Sequence, residues 1–295
     1  MGCVSDIKNS TFAYNSTDSN GGAYESSGSP YTKEGSNATF VNCTFYKNSA
    51  QIEGGAINNS DDNPSLAVMS LVNTTVAGNS SQNGSGIYNR GFLTLQSSIL
   101  ASNSGSTSCS KAGGAVTDGG GNLRWPSSDN SCPGTAGDPL LAPLGNYGGP
   151  TRTLALLPGS AAIEAGNDGN CQDVDQRGIP RPQLSHCDSG AFESRGFTVL
   201  AYQGSKQSAR CNTAFQYPLS VYVFSLYSEP VEGGTISFTG PKTGAGIKPQ
   251  ANVAVTDGTA TCRVSANTLC GKYRVAAGAS GVESPFLFVL TNTLY

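Results

Sequence analysis

Seven charged side chains, Asp168, Asp173, Asp175, Arg177, Arg181, Asp188 and Glu193, crowd into 26 positions of a chain in which only 13% of residues are Asp, Glu, Lys or Arg. Three kinds of chemistry suit such a group. Closely spaced carboxylates and carbonyls hold calcium through oxygen ligands, which makes Asp168, Asp173 and Asp175 the metal candidates. A carboxylate pair such as Asp173 and Asp175 serves acid–base catalysis. Arg177 and Arg181 can instead bind Asp173, Asp175, Asp188 and Glu193 in bidentate fashion as a structural polar network. The network is the favoured reading, because the spacing lacks a calcium-loop pattern. Its task would be to pin an irregular segment on the last coil of the fold described next. His186 is the sole histidine and sits beside Cys187, where an exposed loop residue is expected rather than a base. Trp125, the sole tryptophan, would stack on a sugar or, preferably, cover the end of an apolar core. Asp61-Asp62-Asn63 reads as a surface turn.

The element that must position these groups is a repeat. Ile7-Lys8-Asn9-Ser10-Thr11-Phe12-Ala13-Tyr14-Asn15 is echoed by Phe40-Val41-Asn42-Cys43-Thr44-Phe45-Tyr46-Lys47-Asn48, by Leu71-Val72-Asn73-Thr74-Thr75-Val76-Ala77-Gly78-Asn79 and by Leu95-Gln96-Ser97-Ser98-Ile99-Leu100-Ala101-Ser102-Asn103. Glycine pairs follow at Gly21-Gly22, Gly54-Gly55 and Gly113-Gly114, with Gly84 and Gly86 in the third copy. Copies two to three dozen residues apart, each with short alternating runs, predict stacked strands whose core exists only between neighbours. The fold expected is an all-β right-handed parallel β-helix over residues 1–195, with repeats to 125. Asn15, Asn48, Asn79 and Asn103 are expected to form an internal ladder. Asn9-Ser10-Thr11 and Asn73-Thr74-Thr75 also match the N-glycosylation pattern, a match that arises by chance in a repeat built of Asn, Ser and Thr. No polar cap precedes the first copy, so the chain reads as a piece of a longer β-helix.

Nine cysteines without metal-site spacing favour an oxidising compartment. Cys109–Cys132 and Cys171–Cys187 each bracket a loop-rich stretch and are the expected disulfides. Cys211–Cys270 is preferred in the last region, which leaves Cys3, Cys43 and Cys262 unassigned. The formal net charge of −3 and the lack of a basic run argue against a nucleic-acid partner. No segment approaches the apolar length of a membrane span.

Residues 138–193 carry a further signal in Asp138-Pro139-Leu140-Leu141, Leu144-Gly145-Asn146-Tyr147-Gly148-Gly149-Pro150-Thr151, Leu154-Ala155-Leu156-Leu157-Pro158-Gly159-Ser160-Ala161, Asp175-Gln176-Arg177-Gly178 and Asp188-Ser189-Gly190-Ala191-Phe192-Glu193. This stretch resembles the C-terminal portion, here 138–195, of the choice-of-anchor Q family of bacterial surface proteins. The resemblance implies a secreted or cell-surface right-handed β-helix without established enzymatic activity. From 196 to 295 seven short runs (197–202, 219–226, 235–239, 252–256, 259–265, 272–277 and 285–290) predict an Ig-like β-sandwich. Glu229-Pro230-Val231-Glu232-Gly233, Gly271-Lys272-Tyr273-Arg274-Val275 and Leu290-Thr291-Asn292 resemble bacterial Ig-like domains of surface proteins, which implies a stalk. The expectation is a non-catalytic extracellular or cell-surface structural or adhesion protein. Its partners would be a surface polysaccharide or a host or cell-envelope component, with no cofactor. The alternative is a carbohydrate-active enzyme, a polysaccharide lyase or hydrolase, or a carbohydrate-binding protein on the same scaffold. Such enzymes cluster Asp, Lys or Arg on one strand face, whereas the repeats hold few acids.

Overall fold

A computed structural model of the chain describes residues 4–26, 35–60 and 67–294. Asp61-Asp62-Asn63 and Cys3 lie outside the described residues. The protein is all-β, and its helical structure among the described residues is confined to a 3₁₀ turn, Asp168–Asn170. It divides into two compact units, one comprising Met1–Leu156 and Ala161–Ser194, the other Leu157–Ser160 and Arg195–Tyr295.

In the first unit each repeat supplies one strand to each of three parallel sheets. The first sheet stacks Val4–Lys8, Asn37–Val41, Val68–Val72, Phe92–Gln96 and Ala115–Asp118. The second stacks Thr11–Ala13, Thr44–Tyr46, Thr75–Ala77, Ile99–Ala101, Leu123–Trp125 and Thr135–Ala136. The third stacks Tyr24–Ser26, Ile57–Asn59, Ile87–Asn89 and Cys109–Lys111. This is the layout of a parallel β-helix.

Because strand side chains alternate, in-register pairing lines up equivalent residues of successive copies. Phe12, Phe45, Val76 and Leu100 form one inward column. Ile7, Phe40, Leu71 and Leu95 form a second, and Tyr24, Ile57, Ile87 and Cys109 a third. The Phe12 and Phe45 rings stack at 4.8 Å, and Phe40 meets Phe45 edge-on at 5.1 Å. Burying each such side chain contributes about 1.5–3 kcal/mol. Trp125 ends a strand of the second sheet in register with Ala101, half-buried.

The corners explain the polar residues of the repeat. One corner places Asn9, Asn42, Asn73 and Ser97 at φ of 51°, 52°, 44° and 43°, the left-handed region that Asn tolerates best after Gly. Another corner needs Gly54 at φ 66°, and a Cβ on the next residue, Gly55, would lie 2.0 Å from the Ser85 carbonyl of the next coil. The pair therefore combines a left-handed bend with the close approach of adjacent coils.

Between corners, the asparagine ladder is continuous. Asn15, Asn48 and Asn79 each donate Nδ2 to the Oδ1 of the next rung, at 2.9, 3.0 and 3.0 Å. Their backbone N–H groups reach the same oxygens at 3.1, 2.8 and 3.0 Å. The second Nδ2 hydrogen of Asn48 and of Asn79 returns to the carbonyl of Phe12 and of Phe45. A second, shorter ladder joins Asn59 Nδ2 to Asn89 Oδ1 at 2.7 Å. Of the glycosylation-pattern residues named above, Asn73 is fully buried, whereas Asn9 is exposed.

The second unit has two larger sheets and a two-stranded one, Ile247–Lys248 with Ser265–Ala266. The first of the larger two orders Thr198–Gln203, Leu219–Phe224 and Thr259–Cys262; the second orders Gln207–Arg210, Phe286–Thr293, Gly271–Gly278, Thr235–Thr239 and Ala251–Ala254. Val221 and Ala260 from the first join Phe238, Val275 and Phe288 from the second in one buried core. All pairings in these two sheets are antiparallel except Gln207–Arg210 against Phe286–Thr293. Asn292 is buried near the end of its strand, where it accepts from the Tyr273 hydroxyl at 2.8 Å and donates to Gly246, Asn267 and Leu269. Burial pushes the Tyr273 phenol up to about 12.

Three disulfides, Cys109–Cys132, Cys171–Cys187 and Cys211–Cys270, fit an oxidising compartment. Cys43 and Cys262 are buried free thiols, and burial raises both, Cys43 to about 11. Among the described residues no helix is long and apolar enough to cross a membrane. Cys109–Cys132 closes a stretch 23 residues apart between the third sheet and a loop. Changing both to Ser is expected to cost about 3 kcal/mol on loop-closure entropy. A matched denaturation of the double variant measures it, and equal midpoints would show that the bond adds nothing.

Candidate functional site

The charged cluster folds with the first unit, but not where the sequence suggested. Its segment runs along the side of the coil stack, across four copies, rather than on the last coil. The reason is the outward row of the second sheet, Thr11, Thr44 and Thr75, which alternates with the inward phenylalanines and offers hydroxyls to a covering chain. Thr151 Oγ1 donates to the Asn9 carbonyl at 3.1 Å, and Thr11 Oγ1 to the Arg152 carbonyl. Asn42 Nδ2 donates to Val174 O at 2.9 Å, and Thr44 Oγ1 to Gln176 Oε1 at 2.6 Å. Ala191 N donates to Thr75 Oγ1 at 3.0 Å, and Gly190 N to the Ser97 carbonyl at 2.7 Å. Ser189 Oγ reaches Gly121 O at 2.7 Å. Thr44 and Thr75 are consequently buried.

Within the segment, two arginines are paired out of contact with water. Arg177 reaches Asp175 Oδ2 through Nε and through Nη2, both at 2.8 Å, and both side chains are 0% exposed. Its guanidinium lies 3.5 Å from the Phe192 ring centre and donates to the carbonyls of Glu193 and Tyr147. Asp175 Oδ1 also accepts from the Arg177 and Ile179 backbone N–H groups, which closes the turn. Arg181 Nη1 binds Glu193 Oε2 at 2.7 Å, again with both side chains 0% exposed, and the guanidinium donates to Asp188 O and Gly190 O. Asp188 accepts from Glu164 N and Ser194 N at 2.7 and 2.6 Å.

Asp173 is a correction to the expected network. Its side chain is exposed, and its contribution is the backbone carbonyl that accepts from Arg181 N at 3.0 Å. Two residues earlier than Asp175, it precedes the turn that carries Asp175 inward. The calcium candidates are likewise not brought together. Asp168 faces His186 Nδ1 at 2.5 Å and Cys187 N at 2.9 Å, while Asp175 is committed to Arg177. Among the described residues no three His, Cys, Asp or Glu side chains are placed to hold a metal ion. The His186–Asp168 pair is exposed, and hydrogen bonding to each other raises His186 while Asp168, bonded first by Cys187 N and then by His186, is lowered. Gln176, absent from the expected set, is the buried centre of the contact: its Nε2 donates to Thr11 Oγ1, Thr151 Oγ1 and Arg152 O. Its position between Asp175 and Arg177 was the available clue.

Asp188 and Glu193 set a pH dependence. Burial raises Asp188 well above the ordinary carboxylate value, and the Glu193 charge adds to this. Burial also raises Glu193, against the pull of Arg181. A carboxyl raised by folding stabilises most below its unfolded value, and that stability is lost as pH rises through the folded value. The melting temperature is therefore expected to be higher at about pH 5 than at about pH 7. Asp188→Asn should shrink the difference, separating it from the exposed His186, which has the same sign. An unchanged melting temperature on acidification would sink this reading of the pair.

A second feature is an open groove of about 540 Å³ in the first unit, lined by residues that include Asn83, Asn103, Ser106, Thr107, Ser128 and Asp129. Asp129 is half-buried there. Burial alone would raise its carboxyl, but hydrogen bonds from Ser131 and Ser108 outweigh that and hold it below its usual value. No protein-family model, curated protein or solved structure matches the chain.

Proposed function

We propose that the chain is a non-catalytic part of an extracellular or cell-surface protein, built to present a rigid coil stack for adhesion or envelope structure. The observation that carries this reading is the use made of the densest charged cluster. Asp175, Arg177, Arg181 and Glu193 are sealed as buried pairs that brace the segment covering the repeats, instead of opening onto a cleft. Catalytic carboxylates must reach a substrate. The three disulfides support export. The fold of the first unit and the covering role of residues 138–193 support the choice-of-anchor Q resemblance. The second unit, with its two larger sheets and its buried Asn292, supports the Ig-like reading and a spacer role. The ligand would be a surface polysaccharide or a host or cell-envelope component.

Incubating the chain with a polysaccharide panel tests the proposal. Retention of intact polymer, with no new reducing ends or unsaturated products, is the expected result. Release of sugar fragments would overturn the non-catalytic reading in favour of a lyase or hydrolase. The polar groove favours glycan binding as the form that adhesion takes.

A further inference from the structure

The asparagine ladder stops at the groove, and it stops with donors to spare. In the rungs at 48 and 79, the backbone N–H and one Nδ2 hydrogen both go to the Oδ1 of the next rung, and the other Nδ2 hydrogen goes back to a carbonyl of the preceding coil. Asn103 keeps only half of that pattern. Its Oδ1 accepts both bonds from Asn79, and its Nδ2 donates back to the Val76 carbonyl at 3.2 Å. In the next coil Trp125 pairs with Ala101, so Ser127 occupies the register where a further rung would stand. Asn103 is 9% exposed and lines the groove, and neither its backbone N–H nor its second Nδ2 hydrogen has a partner among the described residues. By the direction of the ladder, both point toward the next layer, that of Pro126 and Ser128, which also line the groove.

We propose that this groove binds the acetamido group of an N-acetylhexosamine, its carbonyl oxygen taking the place of the missing asparagine Oδ1. The vacant position calls for one amide oxygen able to accept two N–H groups, and an N-acetyl carbonyl is that group. Ser106, Thr107 and Ser110 supply hydroxyls around it for the sugar's own hydroxyl groups. The groove's volume falls in the range of small-molecule sites. Asp129, which also lines the groove, disfavours a carboxylate there and so selects a neutral acceptor. The site deepens the adhesion reading by naming the sugar class that it would recognise.

Titration of the full chain with N-acetylglucosamine, with glucose in parallel, tests the assignment by following the Asn103 backbone and carboxamide signals in ¹⁵N–¹H spectra. N-acetylglucosamine is expected to shift both signals and to bind about tenfold tighter than glucose, the factor that a satisfied buried donor contributes. Ser128→Tyr, at an exposed groove position without a side-chain hydrogen bond among the described residues, is expected to abolish the shifts while leaving the melting temperature unchanged. Equal binding of glucose, or Asn103 signals that do not respond to N-acetylglucosamine, would overturn the proposal. Adhesion of the chain to immobilised polysaccharide is scored separately. Adhesion that survives Ser128→Tyr with an unresponsive Asn103 sinks the groove and leaves the adhesion reading standing; an Asn103 response in a chain that adheres to nothing does the reverse.

Discussion

Phe45→Asp is expected to unfold several coils of the first unit at room temperature. Phe45 is 0% exposed, stacked on Phe12 at 4.8 Å, edge-on to Phe40 at 5.1 Å and in register with Val76. Removing the ring alone costs about 3–5 kcal/mol. A carboxylate in its place must also be desolvated or protonated without a partner, which adds several kcal/mol more. The sum is comparable with the whole stability of a typical domain, about 5–15 kcal/mol. Each coil borrows its core from its neighbours, so the damage spreads to the coils above and below. Circular dichroism melting measures it, with Phe45→Leu as a control expected to keep the fold. A variant that melts like the parent would mean that Phe45 does not face the core.

Arg177→Ala is the second large effect. The change strips Asp175 of its partner, removes the cation from above Phe192 and leaves the Glu193 and Tyr147 carbonyls without a donor. Breaking one side of a buried ion pair costs about 3–5 kcal/mol, because the remaining charge stays buried. Arg177→Lys should recover little, since an ammonium cannot reproduce the planar contact with the ring and the carboxylate together. Chemical denaturation gives the loss, and limited proteolysis within residues 138–194 locates it. If both readouts match the parent, the segment is not held by this pair.

The stacking of the copies was legible because it depends on local pattern. Alternation places Phe12, Phe45 and Val76 on one face, and one Asn closes each second-sheet run, so the ladder could be read from spacing alone. The placement of the charged segment was not legible. Thr44 and Thr75 face away from the core, and an outward threonine in a repeat reads as a solvated residue until a covering chain is known. Asp173 and Asp175 differ in fate by one turn, which no composition rule distinguishes. In the second unit the strand Gln207–Arg210 escaped notice because it carries no alternating apolar pattern; its parallel partner Phe286–Thr293 holds it in place. Ile247–Lys248 and Ser265–Ala266 are too short to signal themselves, and pair with each other.

A solenoid without a strap frays from its ends, layer after layer, because each layer touches only the ones beside it. Residues 151–191 bond to Asn9, Asn42, Thr44, Thr75, Ser97 and Gly121, so opening any one of these layers also loosens the band that spans the others. Amide exchange across the repeats should therefore proceed as a single cooperative event rather than as a gradient from either tip.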